Sequence, residues 1–179
     1  MSQPRGFSAD VSVRPSLPED APTLGEIQLA AWRSANLLPP SVLEDADASV
    51  FARAWGDAIA NPPTAKHRLL SACDGPNIVG FAALAPADEN TGEIVVLEVH
   101  PDYVRKGHGS RLLAACTDIL KTTGASHVRT WAIREDSERV AFLAAAGLAP
   151  LGVRRRLDAN GTEVIEEAYG AEFPPPEGA

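Results

Sequence analysis

The sequence predicts an α+β fold: one domain with a mixed, mostly antiparallel sheet of seven strands, flanked by about four helices. Two observations carry this expectation. Period-two apolar runs and runs with apolar residues every 3 to 4 positions follow one another in an irregular order, without internal repeats. Two tight-turn signals, Asp74-Gly75 and Asn160-Gly161, each join neighbouring strand patterns into a hairpin. A chain of 179 residues, 45% of them hydrophobic, is long enough for one well-buried domain and gives no reason to expect two. The domain is expected over residues 11–170, with a flexible segment at 1–10 and a disordered proline-rich tail at 171–179.

In chain order, Val11 to Arg14 alternates like a short strand ahead of Pro15. Pro18, Glu19, Asp20 and Pro22 are helix-start residues, and Leu24, Ile27, Gln28, Ala31 and Trp32 form one helical face. After a proline turn at Leu37 to Pro40, Ser41 to Ala60 has helical spacing through Val42, Val50, Ala54, Trp55 and Ile59, with a break expected near Asp47. Asn61-Pro-Pro63 ends it. Arg68 to Cys73 and Ile78 to Leu84 make a hairpin, and Ala85 to Gly92 is a polar loop. In the next strand Val95, Leu97 and Val99 alternate, and Pro101-Asp102 stops the run. Leu112, Leu113, Cys116, Ile119 and Leu120 then define a helical face that Gly124 terminates. His127 to Ile133 is a further strand. Ser137 to Ala146 is an alanine-rich helix with Val140, Phe142 and Leu143, capped by Gly147, and Leu151 to Leu157 with Glu163 to Tyr169 form the last hairpin.

The formal net charge of −8 disfavours a nucleic-acid partner, whose phosphates require a basic face. No apolar run approaches a membrane helix and Met1 to Asp10 lacks the apolar core of a signal peptide, so no membrane partner and a cytoplasmic location are expected. Cys73 and Cys116 are read as reduced packing residues. Basic residues inform only where they cluster, at Arg105-Lys106 with Arg111 and at Arg154 to Arg156. The latter alternate across a strand and are expected to pair with Glu163, Glu166 and Glu167.

The first of these clusters lies where a strand passes through a turn straight into a helix. Residues 105–110 combine free backbone N–H groups, two glycines for close approach and adjacent positive charge, which suits a phosphate-bearing ligand. A dinucleotide-binding fingerprint requires a third glycine where Leu112 stands, and a P-loop requires Gly-Lys-Ser/Thr where the order is Lys106-Gly107-His108-Gly109-Ser110.

Val99-His100-Pro101, Arg105 to Ser110 and Leu112-Leu113 resemble the central motif of the GCN5-related N-acetyltransferases, and the element order fits over roughly residues 10 to 170. The family's later motif, Asn…Phe-Tyr…Gly-Phe, is similar to Asp136…Phe142-Leu143…Gly147-Leu148. The resemblance implies acyl transfer from acetyl-CoA, without a metal, to an amine of a small molecule or a protein. It further implies that the backbone of Leu97 and Val99 pairs with the pantetheine amides, while Arg105, Lys106, Gly107, His108, Gly109 and Ser110 hold the diphosphate. Three residues depart from the pattern: Val104 where Gln or Arg is usual, Asp136 for Asn, and Leu143 for the Tyr that commonly protonates the leaving sulfur.

Amine attack on a thioester requires removal of a proton from the amine. Glu98 is the first candidate base because it sits on the central strand beside the thioester site that the resemblance implies; the bland reading makes it a solvated residue on a face shared with Ile94 and Val96. Glu93 and His100 are weaker candidates. Trp32 and Trp55 are read as core packing rather than an acceptor pocket, and Tyr103 as a CoA contact or as packing over the turn. The competing reading is a non-catalytic acyl-CoA-binding regulatory module on the same fold. An exposed strand or the last hairpin would serve a homodimer.

Overall fold

The computed structural model describes residues 11–175. The expected flexible segment 1–10 and residues 176–179 lie outside them. Seven strands, β1 (Val11–Pro15), β2 (Arg68–Asp74), β3 (Asn77–Pro86), β4 (Thr91–Val99), β5 (His127–Ile133), β6 (Ala149–Ala159) and β7 (Thr162–Glu172), form one sheet in the order β1-β2-β3-β4-β5-β7-β6. Only β4 and β5 are parallel. The helices are α1 (Ala21–Ala35), α2 (Pro40–Asp45), α3 (Ala48–Ala60), α4 (His108–Thr122) and α5 (Ser137–Ala145). The expected second helix is thus divided at Ala46-Asp47, where the Asp47 side chain accepts the Ser49 N–H at 2.8 Å and starts α3 as an N-cap.

Two apolar layers cover the sheet. On one face α4 buries Leu112, Leu113, Cys116 and Leu120 against Leu70, Ala82, Ile94, Leu97 and Val128. On the other, Leu24 and Ile27 of α1 meet Phe81, with Trp55 and Ile59 of α3 packed beside them. Burial pushes the Cys116 thiol up to about 12, and both cysteines are free and buried. The tryptophans are packing residues: Trp55 donates to Gln28 Oε1 at 2.6 Å and stands edge-on to Phe81, and Trp32 stands edge-on to Phe51 at 5.0 Å. At the far edge β6 is exposed along nearly its whole length, and Arg155 and Arg156 pair with Glu166 and Glu163.

Gly25 lets α1 and α3 touch. A Cβ there would collide with the Ala48 carbonyl and stand 2.8 Å from the Ala52 nitrogen, both backbone atoms that cannot rotate away. Gly25→Ala is therefore expected to cost about 1–3 kcal/mol, read as a lower urea midpoint at unchanged m.

Two expectations are corrected. The tail does not begin at residue 171: β7 runs to Glu172, the Phe173 N–H bonds the Ser126 carbonyl at 2.7 Å, and the Phe173 ring packs on the core beneath Lys121. Nor does β4 alternate simply. Ala83 pairs with Val96 but Leu84 pairs with Ile94, so Val95 is an extra residue in a bulge and is 50% exposed. The bulge inverts the alternation: Ile94 and Leu97 share the α4 face, while Val96 joins the α1 face. Glu98 therefore does not share a face with Ile94.

Candidate active site

β4 and β5 pair only from Thr91↔His127 to Ile94↔Thr130. Thr130 Oγ1 closes the last step on the Ile94 carbonyl at 2.9 Å, and beyond it the strands part. The His100 N–H bonds the Val79 carbonyl of β3, so the odd positions Leu97 and Val99 direct their backbone groups at the free edge of β4. A cleft of about 710 Å³ opens there, floored by Leu97, Glu98 and Val99, with Ala31, Ser34 and Ala35 of α1 on one wall and residues of α5 on the other.

One end of the cleft is the turn into α4. Arg105 (φ 59°) and Gly107 (φ 86°) both take left-handed conformations, which bring the chain around sharply enough for α4 to start at His108. The first helical bond runs from the Arg111 N–H to the Gly107 carbonyl, so the N–H groups of His108, Gly109 and Ser110 precede it and have no intrahelical acceptor. Together with the dipole of a 15-residue helix they could hold an anion.

The side chains divide differently. Arg105, Gly107, Gly109 and Ser110 line the cleft, whereas Lys106 and His108 do not. Lys106 donates to the Asp102 carbonyl at 3.3 Å and lies over the Tyr103 ring at 5.0 Å. Arg111 Nη1 holds the Lys106 carbonyl at 3.2 Å. Val104 is exposed on the rim, and Tyr103 both lines the cleft and stands edge-on to His100 and His108.

His108 is buried beneath the turn rather than exposed within it. Among the described residues its Nδ1 has no partner, and its Nε2 stands 3.9 Å from Asp74 Oδ2. Burial holds the ring below the ordinary histidine range; Asp74 opposes this, while Arg111 and Lys106 add to it. The native ring is neutral, so below about 6.5 the unfolded chain binds a proton that the native chain does not, and stability falls as pH drops through that value. Replacing His108 by Leu is expected to flatten the loss of thermal stability between pH 7 and 5, read by calorimetric melting.

The middle of the cleft holds a charge cluster that sequence reasoning missed. Arg139 of α5 donates from Nη1 to the Leu97 carbonyl and from Nη2 to Glu98 Oε2, both at 2.9 Å, and its Nε is 3.5 Å from Asp136 Oδ2. Asp136 also caps α5, accepting the Arg139 N–H at 2.9 Å. Burial raises the Glu98 carboxyl and Arg139 opposes that rise. The other candidate bases are engaged elsewhere. Glu93 accepts from Arg129 at 2.7 Å and from Trp131 at 3.3 Å, and His100 Nδ1 accepts the Asp102 N–H at 3.2 Å; neither lines the cleft. Leu143 is in the core, 3% exposed, and it is Phe142 that reaches the cleft, beside Gly109. Among the described residues no group of three His, Cys, Asp or Glu side chains could hold a metal ion.

Known proteins share this architecture. The structure superposes on the PaiA N-acetyltransferase of Thermoplasma acidophilum, solved with coenzyme A, with a TM-score of 0.74 and 21% identity over 92% of this chain and 99% of that one. It superposes on the ribosomal-protein-alanine N-acetyltransferase of Brucella melitensis with a TM-score of 0.71 and 14% identity, covering 90% and 99%. These likenesses concern the fold. In sequence, the chain is 34% identical over 137 residues to a mycothiol acetyltransferase of Salinispora arenicola, covering 69% of this chain but 40% of that protein. It is 46% identical over 65 residues to one of Thermobispora bispora, covering 36% and 20%. The chain thus spans less than half the length of these relatives. The model of the Acetyltransferase (GNAT) family matches residues 27–147, most of the chain and all of the cleft's floor and turn. The protein belongs to the GNAT family of acetyltransferases, as the turn after β4 and the parting of β4 from β5 lead one to expect.

Proposed function

We propose that the protein is an acetyl-CoA-dependent N-acetyltransferase acting in the cytoplasm on the amine of a small polar molecule. The observation that carries this is the junction of a helix start suited to an anion with a free strand edge that ends at a half-buried carboxylate, all lining one cleft. The diphosphate of acetyl-CoA sits on the N–H groups of His108, Gly109 and Ser110, with Arg105 adding charge. Lys106 and His108 contribute backbone and structure of the turn rather than side-chain contacts. The pantetheine arm lies along Leu97 and Val99 as an added strand. Of the Leu97 groups the N–H is free for it, because the carbonyl already accepts from Arg139.

Glu98 takes a proton from the acceptor amine, directly or through a water. The freed lone pair of the nitrogen forms the new bond to the thioester carbon, the carbon–sulfur bond breaks, and CoA leaves as a thiolate that takes up, directly or through water, the second proton released by the nitrogen as it becomes an amide. A leaving thiol with a pKa of about 8.5 departs without a dedicated acid, so the burial of Leu143 does not stop the reaction. The acceptor end of the cleft presents Glu98, Asp136 and Glu138 against the single guanidinium of Arg139, together with Ser34 and Ser137. That excess of negative charge favours an amine that arrives as a cation, and small-molecule acetylation also agrees with the mycothiol acetyltransferase relatives.

The test is incubation with acetyl-CoA and a panel of small amines that includes the acceptor of those relatives, with release of free CoA thiol as the signal. Turnover on a small amine is expected. CoA binding without turnover on any amine, peptide N-termini and lysines included, would make the protein a non-catalytic CoA-binding module instead.

A further inference from the structure

Arg139 is not explained by packing. It is a charged residue on an alanine-rich helix whose neighbours Val140, Phe142 and Leu143 join the core, and its side chain is only 25% exposed. Each edge of its guanidinium is occupied: Nη1 by the Leu97 carbonyl, Nη2 by Glu98, Nε by Asp136. Two of these acceptors lie on adjacent residues of β4 where the strand has parted from β5, and the third is fixed by its own role as the cap of α5. The fork therefore links the wall of the cleft to its floor at the residue proposed as base.

We propose that Arg139 is a positioning residue for Glu98: it binds one carboxylate oxygen, is itself anchored on the Leu97 carbonyl and Asp136, and so leaves the other oxygen aimed at the acceptor amine. Oε2 carries the bond to Arg139, Oε1 takes no hydrogen bond among the described residues, and the Glu98 side chain lines the cleft. The inference rests on Glu98 being the base. The arrangement also answers a requirement of buried bases. A carboxylate out of water tends to take up a proton, and a protonated carboxyl cannot accept one from an amine. The groups facing Glu98 leave this task to Arg139. From α5 come Asp136 and Glu138, which disfavour a further anion; α1 contributes the uncharged Ala31, Ser34 and Ala35, and β3 the Phe81 opposite. Arg105 lies at the diphosphate end and is neutralised there by the cofactor.

The experiment is the pH profile of kcat/KM for the acceptor at saturating acetyl-CoA in wild type, Arg139→Met, Arg139→Lys and Glu98→Gln, with CoA binding measured by calorimetry for each. In Arg139→Met the acid limb is expected to move up by about one pH unit or more, with kcat at pH 7 lowered about 10- to 100-fold. Arg139→Lys, which keeps the charge but not the fork, is expected to move the limb less while still losing rate. The double variant Glu98→Gln/Arg139→Met is expected to be no slower than Glu98→Gln alone, since positioning a lost base has no further effect. If Arg139→Met does not fold, Arg139→Lys and its combination with Glu98→Gln carry the test. A slower Arg139→Lys whose acid limb stays at the wild-type pH, or a further loss in the Glu98→Gln background, would overturn the inference. If Glu98→Gln itself turns over at the wild-type rate, the reading of Glu98 as base fails instead.

Discussion

Replacing Glu98 by Gln is expected to lower kcat by about 10²- to 10⁴-fold, the range that general-base removal covers, while CoA binding stays within about twofold. The substitution keeps the side chain's shape and a carbonyl oxygen for Arg139 Nη2 to bond, so the floor of the cleft survives. It removes only the capacity to take a proton. Glu98 stands where the burial of β4 and the charge of Arg139 act in opposite directions: burial raises the carboxyl and the guanidinium lowers it. Rate should therefore rise with pH along a limb that belongs to this carboxylate, and Glu98→Gln should abolish that limb together with the rate. Stopped assays across pH 5 to 9, paired with calorimetry at pH 7, separate the loss of chemistry from any loss of cofactor.

Replacing Gly107 by Val should have the converse signature, weakening CoA by at least about tenfold with kcat at saturating acetyl-CoA within about threefold of wild type. At φ 86° a β-branched residue costs about 1–2 kcal/mol, and a Cβ at this position would stand 2.9 Å from Arg111 Nη1. Arg111 would have to release the Lys106 carbonyl, and the turn that aims the N–H groups of residues 108–110 would open. Gly124 supplies the control. It is also left-handed, at φ 92°, but a Cβ there meets nothing within 4 Å, and it lies beyond the C-terminal end of α4, away from the cleft. Gly124→Val should lose comparable stability and keep CoA affinity, so the difference between the two measures the turn itself.

The elements were legible where local pattern and burial agree. The face Leu112, Leu113, Cys116, Leu120 names α4 because those residues meet the sheet at helical spacing, and Gly107 marks the turn because its left-handed φ of 86° favours glycine. What the sequence left hidden depends on contacts between distant segments. The bulge at Val95 has no local signal: valine suits either register, and only pairing with Ala83 and Leu84 shows the extra residue. That single insertion moved Glu98 off the face of Ile94. The burial of His108 was hidden for the same reason, since Asp74, at the end of β2, stands against it. Arg139 did leave a trace, a basic residue three positions after the capping Asp136 on an alanine-rich helix, but its partners on β4 are more than forty residues away. The fold extends farther toward the C-terminus than the prolines suggest because Phe173 finds a place on the core before they begin.

The most direct measurement is a crystal structure with acetyl-CoA bound. It is expected to show the diphosphate on the N–H groups of residues 108–110, the pantetheine amides on the free edge of β4 at Leu97 and Val99, and the thioester carbon within reach of Glu98 Oε1, directly or through one water. Acetyl-CoA bound away from the turn into α4, or lying in the cleft with Glu98 turned from its thioester, would contradict the account.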